Sequence, residues 1–101
     1  MNEDQLCKAV AEQAVADHHA TFGAFGVSHK AMAGGQLLAW VQAIISWLRS
    51  NGVTWTTIFK SVSQIVSIVI ASGGDWQAAI AAIIALFFPG GVGAATAPAQ
   101  P

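Results

Sequence analysis

The sequence predicts an all-α fold: three short hydrophobic helices at about 37–49, 54–72 and 76–88, forming a helical hairpin or bundle, with a weaker helix at about 2–19 before them. Three observations predict it. Apolar residues between 36 and 88 recur at the 3.6-residue period of a helix face. Turn-forming runs interrupt that period at Gly34-Gly35, Ser50-Asn51-Gly52 and Gly73-Gly74, and glycine pairs favour turns over helix interiors. The composition is 54% hydrophobic and 9% charged, against roughly 25% charged in an ordinary soluble domain.

The first helix takes Asn2 as its cap, and Glu3 and Asp4 suit the positive end of its dipole. Leu6, Val10 and Ala14, with Cys7, Ala11 and Val15 beside them, form a thin apolar stripe next to Glu12, Gln13 and Asp17. Alanine makes the stripe shallow, so this helix is expected to dock weakly rather than build a core. Residues 20–35 read as a glycine-rich break that lays Phe22 and Phe25 on an apolar surface and ends at Gly34-Gly35.

In the second helix, Leu37, Leu38, Val41, Ile44, Ile45 and Leu48 share one face, which Trp40 and Trp47 widen. Arg49 falls in the last turn, where the dipole favours a cation, and Asn51-Gly52 provides a left-handed stop. Thr54 caps the third helix. Its apolar face is Trp55, Ile58, Phe59, Val62, Ile65, Val66 and Val69, opposite Thr57, Lys60, Ser61, Gln64 and Ser67. Asp75 caps the fourth, where Ile80, Ile83, Ile84, Phe87 and Phe88 alternate with alanines. Small residues at i and i+4 (Ala78/Ala82, Ala81/Ala85) permit close helix approach. Pro89-Gly90-Gly91 ends it. The chain then divides into an acidic, Ala-rich part at 1–35, a hydrophobic block at 36–89 and a Gly/Ala/Pro tail at 90–101, which lacks large side chains and is expected to be extended unless something holds it.

The block at 36–88 carries all four tryptophans and only Arg49, Lys60 and Asp75 as formal charges. A chain of this length buries about 60–70% of its unfolded surface, so the apolar surplus is expected to need lipid, sister subunits or both. Spanning a bilayer takes about 20 helical residues, more than 37–49 or 76–88 supplies, and Lys60 and Gln64 interrupt 54–72. Short helices lying in an interface or packed on copies of themselves fit better. Trp47, Trp55 and Trp76 flank turns, as interfacial anchors or bundle-core aromatics do.

The net charge of −1 removes the electrostatic footprint of a nucleic-acid binder, and Cys7 alone makes no disulfide framework. No signal peptide is evident in the acidic start MNEDQLCKAV. Paired carboxylates, a nucleophile–base arrangement and a phosphate loop are all missing from the apolar block. Cys7, Asp17, His18, His19 and His29 lack metal-ligand spacing. No catalytic residue, metal, cofactor or small-molecule substrate is therefore assigned, and the chain is read as no enzyme.

The expected function is structural: a non-enzymatic helical protein that self-associates into a membrane-associated or membrane-like assembly such as a filament, a shell or a virion component. Its partners are expected to be copies of itself and a lipid bilayer, and its place a membrane or an extracellular or virion assembly. Trp40, Ile44, Trp47, Trp55, Phe59, Val62, Val66, Ile80, Ile83, Ile84 and Phe87 are the residues assigned to helix packing or lipid. Arg49 and Lys60 are candidate contacts to lipid headgroups or to a carboxylate on a neighbouring subunit. A second reading is an accessory small subunit of a larger membrane complex. A third starts from Gly34-Gly35: an acidic leader ending in a double glycine, with Met32 close before it, resembles the leaders trimmed by peptidase-containing transporters. The segment from Gln36 onward is similar in style to membrane-permeabilising bacteriocins, which implies cleavage after Gly35. Further double glycines stand at 73–74 and 90–91.

Overall fold

A computed structural model gives four helices and describes residues 2–22, 34–90 and 98–101. They are α1 (Glu3–Phe22), α2 (Gly34–Ser50), α3 (Trp55–Ala71) and α4 (Trp76–Phe87). The all-α class holds.

Each boundary has a local cause. At the start of α1, Asn2 Oδ1 accepts from the Gln5 amide at 2.8 Å while the Asn2 amide donates to Gln5 Oε1 at 3.2 Å, a reciprocal capping box. The end of α2 is a Schellman motif. Val53 N–H reaches back to the Leu48 carbonyl, Gly52 N–H to that of Arg49, and Gly52 takes φ +86°, which glycine adopts without a Cβ clash. Thr54 Oγ1 accepts from the Thr57 amide and Asp75 Oδ1 from the Ala78 amide, so α3 and α4 each begin on the cap expected of them.

The helices alternate in direction. Glu3, at the start of α1, meets Arg49, at the end of α2, so these two run antiparallel. The short turns at 51–54 and 72–75 reverse the chain again before α3 and before α4. Trp40 packs edge-on against Trp76 (centroids 4.9 Å apart) and Trp47 against Phe88 (5.6 Å), which sets α4 parallel to α2. α3 packs on all three other helices.

The core is Trp40, Val41, Ile44, Ile45, Trp47 and Leu48 of α2, Ile58, Ile65, Val66 and Val69 of α3, Trp76, Ala79, Ile80 and Ile83 of α4, and Cys7, Val10, Ala11 and Ala14 of α1. The last group corrects the expectation for α1. Its stripe lies where the sequence places it, but it is part of the core and not a weak appendage. Small side chains allow close approach, and the bulk needed to fill the space comes from α2.

Three other expectations change. The break at 20–35 is shorter: residues 20–22 continue α1, and Gly34 and Gly35 open α2. The first amides of a helix have no intrahelical partner in any case, so glycine costs little there. The rest of that break, including Phe25, lies outside the described residues. Phe59 does not join the inner face of α3; it is 55% exposed. Finally, the apolar surplus is largely spent inside the chain. Among the described residues only Phe59 and Leu86 are large hydrophobics classed as exposed, because much of the 54% is alanine, which sits outside on Ala78, Ala81, Ala82 and Ala85. The radius of gyration of 12.8 Å matches the value of about 13 Å for a folded domain of this size.

Val66 and Ile83 are fully buried, so an aspartate at either position would strand a charge in the chain's own core. Each variant is expected to lose more than about 3 kcal/mol and its helical circular dichroism in dilute solution. Trp40→Ala is expected to cost about 3–5 kcal/mol in denaturant unfolding. Wild-type unfolding curves for these variants would show the faces to be open.

Candidate functional site

The exposed apolar groups lie toward one end of the bundle, where α1 and α3 begin and α2 and α4 finish. An aromatic and cationic ladder is built there from the α2–α3 turn. The Arg49 guanidinium lies 4.9 Å from the centre of the Trp55 ring, and Trp55 stacks on Phe59 with centroids 5.6 Å apart and planes 27° from parallel. Trp55 and Phe59 are one helical turn apart, which brings their side chains together on one face. Trp55, Phe87 and Phe88 are half-buried, and Phe59 is open to solvent.

Arg49 anchors this end. Its Nε donates to Glu3 Oε1 and a terminal nitrogen to the Val53 carbonyl at 3.1 Å. One side chain thus ties the start of α1 to the end of α2 and to the turn leading into α3. The candidate inter-subunit cation is paired within its own chain. Lys60 is exposed and has no ion-pair partner among the described residues.

From this end a shallow groove of about 270 Å³ runs along α3 and α4, lined by Ser63, Gln64, Ser67, Ile68 and Leu86. It opens one turn beyond Phe59, and none of these lining residues is ionisable. Sequence reasoning missed Leu86. It stands three residues after Ile83, at the rim of the inner face of α4, and its spacing carries no sign of its exposure.

Of the residues assigned to packing or lipid, Trp40, Ile44, Trp47, Val66, Ile80 and Ile83 lie in the core. Trp55, Val62, Ile84 and Phe87 pack against its edge. Phe59 is therefore the one member of that set classed as exposed. Gly34 and Gly35 stand in the first turn of α2, so a cut after Gly35 would remove α1 and with it the cover over α2.

Among the described residues no group of three or more His, Cys, Asp or Glu is placed to hold a metal ion. No helix among them is long and apolar enough to cross a membrane. Cys7 is 1% exposed. Burial pushes its thiol above the ordinary 9.0, and the negative charges of Glu3 and Asp4 add to that against the opposing charge of Arg49. Because the folded thiol holds its proton more tightly, the unfolded chain carries fewer protons above pH 9, and stability falls as pH rises through that range.

Two consequences can be measured. The Arg49–Glu3 pair is half-exposed on the carboxylate side, so Glu3→Gln is expected to cost no more than about 1 kcal/mol and to cost less at high salt. Arg49→Ala, which also removes the bond to Val53 and the contact with Trp55, is expected to cost about 1–2 kcal/mol. Equal losses from the two variants would mean that the ion pair is all Arg49 contributes. Cys7 is expected to resist alkylation in the folded chain at pH 8 and to react on denaturation.

No family model, no curated protein and no solved structure matches this chain.

Proposed function

We propose that this chain is a non-enzymatic helical building block that associates with copies of itself through the end of the bundle bearing Phe59 and Leu86. The observation that carries the reading is their exposure, 55% and 38%, in a fold that hides its other large apolar side chains among the described residues at least in part. Trp55, Phe87 and Phe88, half-buried against the core, belong to the same end of the bundle, and the groove lined by Ser63 and Ser67 lets a neighbour approach α3 closely.

Magnitudes decide what kind of association this is. Fully burying one large apolar side chain contributes about 1.5–3 kcal/mol; Phe59 and Leu86 are only 55% and 38% exposed, so burying what remains of both contributes about 1.5–3 kcal/mol in all. Association itself costs about 4–15 kcal/mol. A pair of chains held by this end alone is therefore weak, and a stable particle needs many such contacts made at once. That is the arithmetic of an array, a filament or a shell, and not of a tight dimer.

Lipid contact is the second reading, and one observation favours it. The exposed cation Lys60 follows Phe59 in the same turn of α3, and Arg49 lies over Trp55 at the same end of the bundle; at a membrane such aromatics enter the headgroup region and such cations reach phosphate. On this reading the bundle would touch a membrane end-on and assemble there.

Sedimentation velocity of the full-length chain over a wide concentration range, with and without vesicles, tests both. Self-association predicts a weight-average mass that climbs with concentration in the absence of lipid, and its loss in Phe59→Ser/Leu86→Ser with the helical spectrum unchanged. Lipid contact predicts co-sedimentation with anionic vesicles, weakened by Lys60→Gln. A chain that stays monomeric at all concentrations and ignores vesicles would sink the proposal.

A further inference from the structure

The C-terminal residues come back to the opposite end of the bundle. The Trp76 indole N–H donates to the Pro98 carbonyl at 3.0 Å, 22 positions along the chain. Trp76 is 8% exposed and its ring lies edge-on against Trp40, so the indole nitrogen is a polar atom at the margin of an apolar core, and Pro98 supplies its partner. The tail ends in Pro98-Ala99-Gln100-Pro101. Prolines three apart suit the three-residue turn of an extended polyproline helix, which has no internal hydrogen bonds and so leaves its carbonyls free to accept. A tryptophan face with an outward N–H is the chemistry by which proteins hold such segments.

We infer that the margin of Trp76 is a receptor for the segment 98–101, and that in a crowded assembly the segment seated there comes from a second copy of the chain. The contact is chemically the same whether the segment comes from its own chain or from a neighbour, the condition under which an element is exchanged at low cost. The tether sets when this happens. α4 is 12 residues long, about 18 Å, and the eight peptide units from Gly90 to Pro98 reach at most about 28 Å. The segment can therefore return to its own Trp76. A short tether holds a ligand at an effective concentration on the order of millimolar. Isolated chains are thus closed on themselves, and exchange begins only where neighbours are packed to a comparable density. This exchange is independent of the contacts proposed for Phe59 and Leu86, since it uses the other end of the bundle.

The test uses two preparations of the full-length chain. One is isotope-labelled with nitrogen-15 and carries no spin label. The other is unlabelled in isotope and carries a nitroxide on Gln100→Cys in a Cys7→Ala background. When they are mixed at about millimolar concentration, the indole N–H signal of Trp76 in the first chain is expected to be lost by relaxation from the nitroxide of the second, and to return on dilution. The same mixture made with Phe59→Ser/Leu86→Ser in both chains should still lose it. Persistence of the signal in the concentrated mixture would overturn the inference, as would a loss that disappears with the Phe59/Leu86 variant. A single preparation carrying both labels is expected to lose the signal at every concentration. If it does not, the segment is not seated on Trp76 at all.

Discussion

The structure depends on how the apolar face of α2 is covered. That face is wider than a single stripe, because Trp40 and Trp47, two turns apart, extend the aliphatic row of Val41, Ile44, Ile45 and Leu48 on one flank, toward α4. One neighbouring helix cannot cover it. α3 packs on α2, α4 contributes Trp76 and Phe88 against the two tryptophans, and α1 closes the remaining side. The division of volume follows: α2 brings the bulk, and α1 brings Cys7, Ala11 and Ala14, small enough to let the backbones approach. Good packing of this kind needs no large side chain on both partners.

Much of this could be read from the residues. Helix boundaries at Thr54, Asp75 and Asn51-Gly52 were legible because capping is local chemistry between a side chain and amides three residues away. The inner faces of α2 and α4 were legible from their period. The features that were not legible are tertiary. The burial of α1 depends on what packs against its alanines, which a hydrophobicity pattern does not record. Phe59 fits the apolar period of α3 yet stays exposed, its ring stacked on Trp55 and not turned into the core. Arg49 was legible as a helix-end cation, but its carboxylate partner lies 46 positions earlier, and sequence spacing carries no sign of that. For the same reason nothing local linked Trp76 to Pro98.

Composition alone does not say which apolar residues stay exposed. A chain that is 54% hydrophobic invites the conclusion that it must borrow a second molecule to hide its surface. In this fold the alanines account for much of that fraction, and on the outer face of α4 they cost little. The tryptophans that resemble interfacial anchors by position are spent largely in pairing α2 with α4. On the proposed reading, association would fall to a small region around Phe59 and Leu86, and the energies available there would favour contacts that are individually weak and collectively repeated.

One chain buries its own apolar faces, α1 included, before it meets any partner. Native-state hydrogen exchange of the full-length chain, in dilute detergent-free solution, tests this most directly. Amides of Cys7, Ala11, Ile44, Leu48, Ile65 and Ile83 should exchange at a common slow rate set by global unfolding, unchanged on further dilution. Fast exchange through α1, or protection that vanishes as the chain is diluted, would mean that the core is shared between chains and not closed within one.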